Sequence, residues 1–205
     1  MDEILFNLIS SWPGLVGRPD RALLEDSLVL LEFLPPGLQR VIDVGSGGGL
    51  PGLPLRLARS DLRLTLLEAN ERKAAFLVQA AAKLGLADVE VVARRAEDAG
   101  HDPDHRESYD FALARALAAM PVLVELCLPF VAVGGRLLAM KTDAAAEAES
   151  AKPAIARLGG ELVEVGAAAS AARSMGQVVV VEKVRPTPPE FPRRAGLPVR
   201  KPLAG

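Results

Sequence analysis

The sequence predicts an α/β fold in which a mostly parallel sheet of seven strands carries helices on both faces. Two observations lead to this prediction. Short apolar runs alternate with helical segments along most of the 205 residues, which is the order that right-handed crossovers produce in parallel sheets. The first apolar run, at 41–44, leads into a turn with four glycines at positions 45–49, and such turns at strand ends bind nucleotide-like ligands.

Proline and glycine divide the chain into the elements of this fold. We expect a helical segment at 1–34, because leucines recur at helical spacing until Pro35-Pro36-Gly37 ends the pattern. A main domain then occupies 35–185, and a Pro/Arg-rich tail at 186–205 packs on or near it. The predicted strands are 40–44, 62–67, 89–92, 109–114, 136–140, 161–165 and 177–184.

A long Ala/Glu-rich helix is expected between the fifth and sixth strands. Asp143 is its expected N-cap, and Gly159-Gly160 ends it. Pro153 lies inside this segment and predicts a kink or a break, because proline lacks the amide hydrogen and clashes with the preceding turn. The segment at 94–108 is polar and predicts a loop.

Composition and charge limit the classes of function. The formal net charge is −2 and 50% of the residues are hydrophobic, which is typical of a globular domain and not of a basic nucleic-acid-binding chain. No secretory signal pattern and no apolar run of membrane-spanning length is visible, so we expect a cytoplasmic protein without membrane contact. From Lys183 onward six basic residues and one acid give a charge of +5, which indicates a polyanionic partner or a solubilising tail.

The glycine turn suits one of two ligands. A dinucleotide fingerprint that begins at Gly45 requires glycine at position 50, where the sequence has Leu50. The pattern is better described as an acid, Asp43, followed by alternating glycines. S-adenosylmethionine (SAM) carries a sulfonium and an amino group and no phosphate, so an acid at the strand end suits it. Glu68 ends the second strand, where a carboxylate can accept ribose hydroxyls of either ligand. The residues therefore favour SAM and leave NAD open.

Several stretches, taken together, resemble one family. They are Asp-x-Gly-x-Gly-Gly-Gly-Leu-Pro-Gly at 43–52, Thr-Leu-Leu-Glu at 65–68, Arg-Ala-Glu at 95–97, Ala-Arg-Ala at 114–116, Ala-Met-Lys at 139–141 and Phe-Pro-Arg-Arg-Ala-Gly-Leu-Pro at 191–198. The combination resembles the bacterial 16S rRNA guanine-N7 methyltransferases (RsmG, also called GidB), over about residues 20–204. The family often has Asp where this sequence has Glu68.

The resemblance implies a Rossmann-like class I methyltransferase fold with a reversed last strand. It also implies methyl transfer from SAM to N7 of a guanine in the decoding-centre region of 16S rRNA. The partner would be 16S rRNA or the small ribosomal subunit, and we expect the enzyme to be a monomer. Guanine N7 carries a free lone pair, so neither a general base nor a metal is expected, and catalysis rests on holding the reacting groups in line.

Matching positions imply the residues of the site. Arg115 would lie beside the methyl group and the base, with a structural ion pair as its alternative role. The expected cofactor-binding residues are Asp43, Gly45, Gly47, Gly49, Leu50, Glu68, Ala69, Asn70, Ala96, Glu97 and Arg115. The expected RNA contacts are Lys141, Arg193, Arg194, Arg200 and Lys201. A NAD-dependent oxidoreductase and a non-catalytic rRNA-binding assembly factor on the same fold are the alternative functions.

Overall fold

The structure is a computed structural model that describes residues 2–15, 17, 19–142 and 144–203, apart from the side chain of Asp2. Asp143, the expected cap of the long helix, therefore lies outside the described residues. Among the helices formed by the described residues, none has both the length and the apolar character needed to cross a lipid bilayer.

One seven-stranded sheet forms the centre of the described chain. Its strands are β1 (Gln39–Val44), β2 (Leu62–Leu67), β3 (Val89–Val92), β4 (Tyr109–Arg115), β5 (Val131–Thr142), β6 (Gly160–Ala167) and β7 (Gly176–Lys183). Their spatial order is β3-β2-β1-β4-β5-β7-β6. Strands β1 to β5 pair in parallel, whereas β7 is antiparallel to both β5 and β6. This confirms the predicted sheet with its reversed last strand.

Helices cover both faces of the sheet. They are α1 (Asp2–Ser11), α2 (Ala22–Leu28), α3 (Gly52–Ala58), α4 (Glu71–Lys83), α5 (Ala96–Ala99), α6 (Met120–Cys127), α7 (Ala145–Arg157) and α8 (Leu197–Arg200), with 3₁₀ turns at Val29–Phe33 and Leu128–Phe130. Neighbouring residues of a strand point to opposite faces, so Val41 joins the core under α1 to α4 and Ile42 joins the core under α6 and α7.

The sheet also fixes where a ligand can bind. The strand order changes direction between β1 and β4, which lie side by side although β2 and β3 come between them in the chain. In open α/β sheets, ligands bind at such a switch point, outside the carboxyl ends of the strands. The glycine turn follows β1 at this edge, and the residues after β2 and β4 flank it.

Three elements differ from the sequence predictions. Strand β5 begins at Val131, with an irregular register opposite Tyr109 and Phe111. The short helix α5 forms inside the segment that was predicted to be a polar loop. Helix α7 continues through Pro153, so the predicted break is wrong. Pro153 and Glu149, whose carbonyl lacks its helical partner, are both exposed, and water can satisfy that carbonyl.

The C-terminal tail packs against the core under α6 and α7. Phe191 and Leu203 are 1% and 6% exposed and belong to that core. The guanidinium of Arg106 donates hydrogen bonds to the carbonyl oxygens of Thr187, Pro188 and Phe191. A distant side chain therefore satisfies three carbonyl groups in the part of the tail that precedes α8.

Candidate functional site

Two adjoining cavities lie at the carboxyl ends of the central strands. The first, about 430 Å³ and called here the glycine cavity, is lined by Leu15, Gly17, Leu23, Gly45, Ser46, Gly47, Gly48, Leu50, Lys73, Arg115 and Ala116. The second, about 280 Å³ and called the Glu68 cavity, is lined by Val44, Gly45, Leu67, Glu68, Ala69, Arg94, Arg95, Ala96, Glu97, Ala116, Leu117, Ala118, Leu126 and Val199. Gly45 and Ala116 line both, so the two cavities form the halves of one cleft.

A larger groove of about 1130 Å³ lies at the opposite edge of the sheet, beside Asp110 and Arg136 near the amino ends of β4 and β5. It lacks the glycine turn and lies away from the strand ends where this architecture binds ligands. The cleft formed by the two smaller cavities is therefore the better candidate site.

The glycine turn has the backbone conformation that its sequence predicts. Gly45, Gly47 and Gly49 have φ angles of +74°, +57° and +81°, which glycine adopts without steric cost. A Cβ atom on Gly45 or Gly49 would lie within 2.6 Å of the side chain of Leu117 or Leu53. A Cβ on Gly47 would meet only a carbonyl oxygen at 3.8 Å. Gly45 and Gly49 thus allow close packing of the turn, while Gly47 leaves the backbone open to a ligand.

Glu68 connects the glycine turn to the start of α4. Its side chain is 9% exposed, and its two carboxylate oxygens accept hydrogen bonds from the amides of Gly47 (2.9 Å) and Asn70 (2.8 Å). Each oxygen keeps further acceptor capacity, which suits a vicinal diol. Ala69 lines the same cavity, whereas the Asn70 side chain caps α4 by accepting a hydrogen bond from the amide of Lys73.

Asp43 is buried beneath the glycine turn, where it contacts the start of α3, and it does not line the cleft. Its carboxylate is 1% exposed and accepts a hydrogen bond from the amide of Gly52 at 2.9 Å. Burial raises the pKa of Asp43 to about 7, although the Gly52 amide and the charge of Arg115 oppose the shift. The prediction of direct cofactor contact by Asp43 is therefore corrected, because its carboxylate fixes the first residue of α3 instead.

Ala96 and Glu97 both line the Glu68 cavity, and Glu97 has an additional partner. The Glu97 side chain is 5% exposed, and its Oε1 accepts a hydrogen bond from the amide of Gly196 in the tail at 2.9 Å. Its Oε2 lies 3.6 Å from Nε of Arg95. Glu97 therefore joins the wall of the cavity to the C-terminal tail.

Arg115 lies at the junction of the cleft with the N-terminal helices. Its guanidinium donates a hydrogen bond to the carbonyl of Leu23 at 3.2 Å and lies 3.7 Å from a carboxylate oxygen of Asp26. Burial lowers the pKa of Arg115, but arginine remains cationic. Ala116, the next residue, has a φ of +50°, which is strained for a residue other than glycine. Arg115 therefore lines the glycine cavity and also forms an ion pair with Asp26, whereas its position beside the methyl group and the base stays a prediction.

Sequence reasoning missed the group that holds Arg115 in place. Asp26 is fully buried and accepts hydrogen bonds from Nε of Arg173 at 2.9 Å and from the Ser170 hydroxyl at 2.6 Å. These partners lie 147 and 144 residues away along the chain. The sequence contains one signal for this contact, which is Asp26 itself. An aspartate among leucines at helical spacing is expected to be buried, and a buried carboxylate requires a partner.

Two of the predicted RNA contacts are engaged inside the protein. The ammonium of Lys141 donates to the Ala118 carbonyl at 2.6 Å and to Glu147 at 3.0 Å. The guanidinium of Arg193 donates twice to Glu125, at 2.8 and 2.6 Å, and Glu125 is fully buried. Direct phosphate contact by these two side chains is therefore corrected to a structural role. The remaining three predicted contacts are exposed: Arg194, Arg200 and Lys201.

Comparison with known proteins agrees with this geometry. The model of the GidB family, described as rRNA small subunit methyltransferase G, matches residues 18–175. The ribosomal RNA small subunit methyltransferase G of Moorella thermoacetica is 43% identical over 183 residues, covering 88% of this chain and 76% of the relative. The protein of the same name from Roseiflexus castenholzii is 47% identical over 165 residues, covering 80% of this chain and 70% of that protein.

Solved structures with lower sequence identity share the fold. TYW2 of M. jannaschii, solved in complex with AdoMet, has a TM-score of 0.62 at 16% identity and covers 80% of this chain and 78% of its own. The ribosomal protein L11 methylase of Lactobacillus delbrueckii has a TM-score of 0.61 at 16% identity, covering 84% and 83%. They establish the Rossmann-like methyltransferase fold, and the family match confirms the resemblance seen in the sequence: the chain belongs to the GidB family, rRNA small subunit methyltransferase G.

Proposed function

We propose that this chain transfers a methyl group from SAM to N7 of a guanine in the decoding-centre region of 16S rRNA. The observation that carries the proposal is the family match over residues 18–175. The shape of the cleft supports it, because the glycine cavity and the Glu68 cavity meet at Gly45 and Ala116. A ligand with an amino-acid half and a nucleoside half suits such a divided site.

The residues of the cleft fit SAM. Glu68 is held by two backbone amides and retains acceptor capacity for the two ribose hydroxyls. Gly47 leaves the backbone of the turn open, and Leu50 lines the half of the cleft that takes the methionine moiety. Ala96 and Leu117 provide apolar surface for the adenine in the other half. A dinucleotide would instead need glycine at position 50, so the oxidoreductase alternative is not favoured.

The chemistry requires positioning more than proton transfer. When bound, SAM supplies an electrophilic methyl group on a sulfonium. Guanine N7 would form a bond to the methyl carbon with its in-plane lone pair while the carbon–sulfur bond breaks and a neutral thioether leaves. Because N7 has no proton to lose, the protein needs no general base. Ala116 lies at the junction of the two cavities and Arg115 lines the glycine cavity beside it, and these two residues orient the incoming base. Holding nucleophile and methyl in line supplies most of the rate acceleration.

The target base has to leave its stack to enter the cleft, and exposed cations are available to hold the flanking phosphates. Arg194, Arg200 and Lys201 are exposed, and Val199 between them lines the Glu68 cavity. We assign these three residues to phosphate contact beside the cleft. We further propose that the enzyme works as a monomer in the cytoplasm on 16S rRNA, as free RNA or in the small subunit.

Two measurements test the proposed function. Calorimetry with SAM and with NAD distinguishes a methyltransferase from an oxidoreductase, and we expect a binding isotherm for SAM only. Incorporation of labelled methyl groups into small-subunit rRNA, taken from cells that lack the family enzyme, then tests catalysis on free RNA and on subunits. Binding to RNA without incorporation would overturn the proposal in favour of a non-catalytic assembly factor, and binding of NAD would overturn it in favour of an oxidoreductase.

A further inference from the structure

We propose that residues 193–201 of the tail form a closed loop, called here the tail loop, that completes the adenine side of the cleft. In this proposal Val199 is a direct cofactor contact, and cofactor binding and RNA contact at the loop strengthen each other. The inference rests on the proposed function and deepens it, because it assigns to the tail a part in binding SAM as well as RNA.

The tail loop is fastened at its base. The Arg193 side chain donates to the buried carboxylate of Glu125 and also to the carbonyl of Lys201 at 2.7 Å. One guanidinium thus joins both ends of the loop to α6. Leu203, just beyond the loop, is 6% exposed in the core. The base of the loop is therefore held by contacts with residues that do not line the cleft.

The middle of the tail loop is attached to the wall of the cleft. The amide of Gly196 donates to Glu97, which lines the Glu68 cavity. Gly196 has a φ of +77°, a conformation that favours glycine, and it directs the chain into the single turn of α8. This turn places Val199 among the residues that line the cavity.

Val199 is an exposed apolar side chain that shares the Glu68 cavity with other apolar side chains. Its exposed fraction is 62%, and it lines the cavity together with Ala96, Leu117 and Leu126. A flat, apolar ring seated between these side chains would cover Val199 and remove its surface from water, which is favourable. The adenine of SAM is the part of the cofactor with that shape and chemistry.

The same loop carries the cations that face solvent. Arg194, Arg200 and Lys201 are exposed, whereas Val199 beside them faces the cavity. A ligand that packs on Val199 restricts the loop, and phosphates that bind the cations restrict it as well. Because coupling between two sites is reciprocal, SAM is expected to tighten RNA binding by the same factor as RNA tightens SAM binding.

The first test measures cofactor affinity without turnover. Val199→Ala removes two carbon atoms from the proposed adenine contact, and the dissociation constant for SAM, measured by calorimetry, is expected to rise about 3- to 10-fold. Val163→Ala is the matched control, because Val163 is 49% exposed and lines the groove at the opposite edge of the sheet. An unchanged dissociation constant in Val199→Ala would overturn the assignment of Val199.

The second test follows the loop itself. Trypsin cleaves after Arg194 and Arg200, and we expect saturating SAM to slow both cleavages at least about 3-fold, with cleavage after the distant Lys83 unchanged. Equal rates with and without SAM would overturn the coupling. If the wild-type protein binds SAM and methylates RNA while both tests give no effect, only this inference fails. If the wild-type protein does not bind SAM, the proposed function fails with it.

Discussion

Glu68 provides the sharpest test of the cofactor site, because Glu68→Gln keeps the shape of the side chain and removes one acceptor. Both carboxylate oxygens already accept backbone amides, from Gly47 at 2.9 Å and from Asn70 at 2.8 Å. A glutamine has one oxygen for these two donors, so its NH₂ group must face an N–H. The change therefore loses one hydrogen bond and sets donor against donor beside the glycine turn.

The magnitude follows from these contacts. The amide hydrogen bond that is lost is missing with and without the cofactor, so its cost of about 1–3 kcal/mol falls on folding stability. In the complex, each of the two ribose hydroxyls loses about 1 kcal/mol when its charged acceptor becomes neutral. A loss of about 2 kcal/mol in cofactor binding corresponds to a roughly 30-fold higher dissociation constant. We expect this change for SAM in calorimetry, together with a lower thermal unfolding midpoint.

Glu71→Gln is the control for this experiment. Glu71 lies three positions further along, in the first turn of α4, and its side chain is exposed. We expect the SAM dissociation constant of this variant to stay within about 2-fold of wild type, since exposed polar contacts contribute little. If Glu68→Gln also stayed within that range while remaining folded, the assignment of Glu68 to the ribose would be refuted.

Three further predictions concern pH, salt and stability. Burial raises the pKa of Asp43 from its ordinary value of 3.8 to about 7, so the unfolding free energy falls as the pH rises through this interval. Asp43→Asn should therefore gain about 2 kcal/mol of unfolding free energy relative to wild type between about pH 5 and 6.5, and parallel pH profiles of the two proteins in denaturant titrations would contradict this. Arg193→Ala leaves the buried carboxylate of Glu125 without its cationic partner and with only the backbone amide of residue 193 as donor from that position, so the unfolding free energy should drop by about 3 kcal/mol. A drop below about 1 kcal/mol would contradict the structural role. The three exposed cations of the tail loop are Arg194, Arg200 and Lys201. Replacing all three with alanine should make the negative slope of log affinity for rRNA against log salt shallower by about 2 to 3, and an unchanged slope would place the phosphate contacts elsewhere.

The sequence predicts the glycine turn and the sheet because these features depend on neighbouring residues. The positive φ angles of Gly45, Gly47 and Gly49 follow from glycine content and spacing. The position of Glu68 follows from the strand that precedes it. These are local properties, and the parallel topology then brings the strand ends together at one edge.

The ion pairs that hold two of the basic side chains inside the protein could not be predicted in the same way. Arg193 and Lys141 look like free basic residues in the sequence, but their acidic partners are Glu125 and Glu147. The partner of Arg193 is 68 residues away, and no local periodicity points to it. Lys141 and Glu147 are only six positions apart, but one lies in β5 and the other in α7, so their contact depends on how these two elements pack.

The buried aspartates show the same limit. The sequence predicts that the acid near the end of β1 is a ligand residue, but the Asp43 carboxylate accepts a hydrogen bond from Gly52 and does not line the cleft. Asp26 gains its importance only when the loop between β6 and β7 folds back on α2, which brings Arg173 and Ser170 to it. Residue type and spacing identify the cleft, whereas tertiary packing decides which acids line it.

The identity of the methylated atom tests the central claim most directly. Small subunits and free 16S rRNA from cells lacking the family enzyme are incubated with the protein and methyl-labelled SAM, and the labelled nucleosides are separated after digestion of the RNA. The proposed function predicts that the label appears as 7-methylguanosine from one position in 16S rRNA. Label on another atom or another base, or none from a protein that binds SAM, would contradict it.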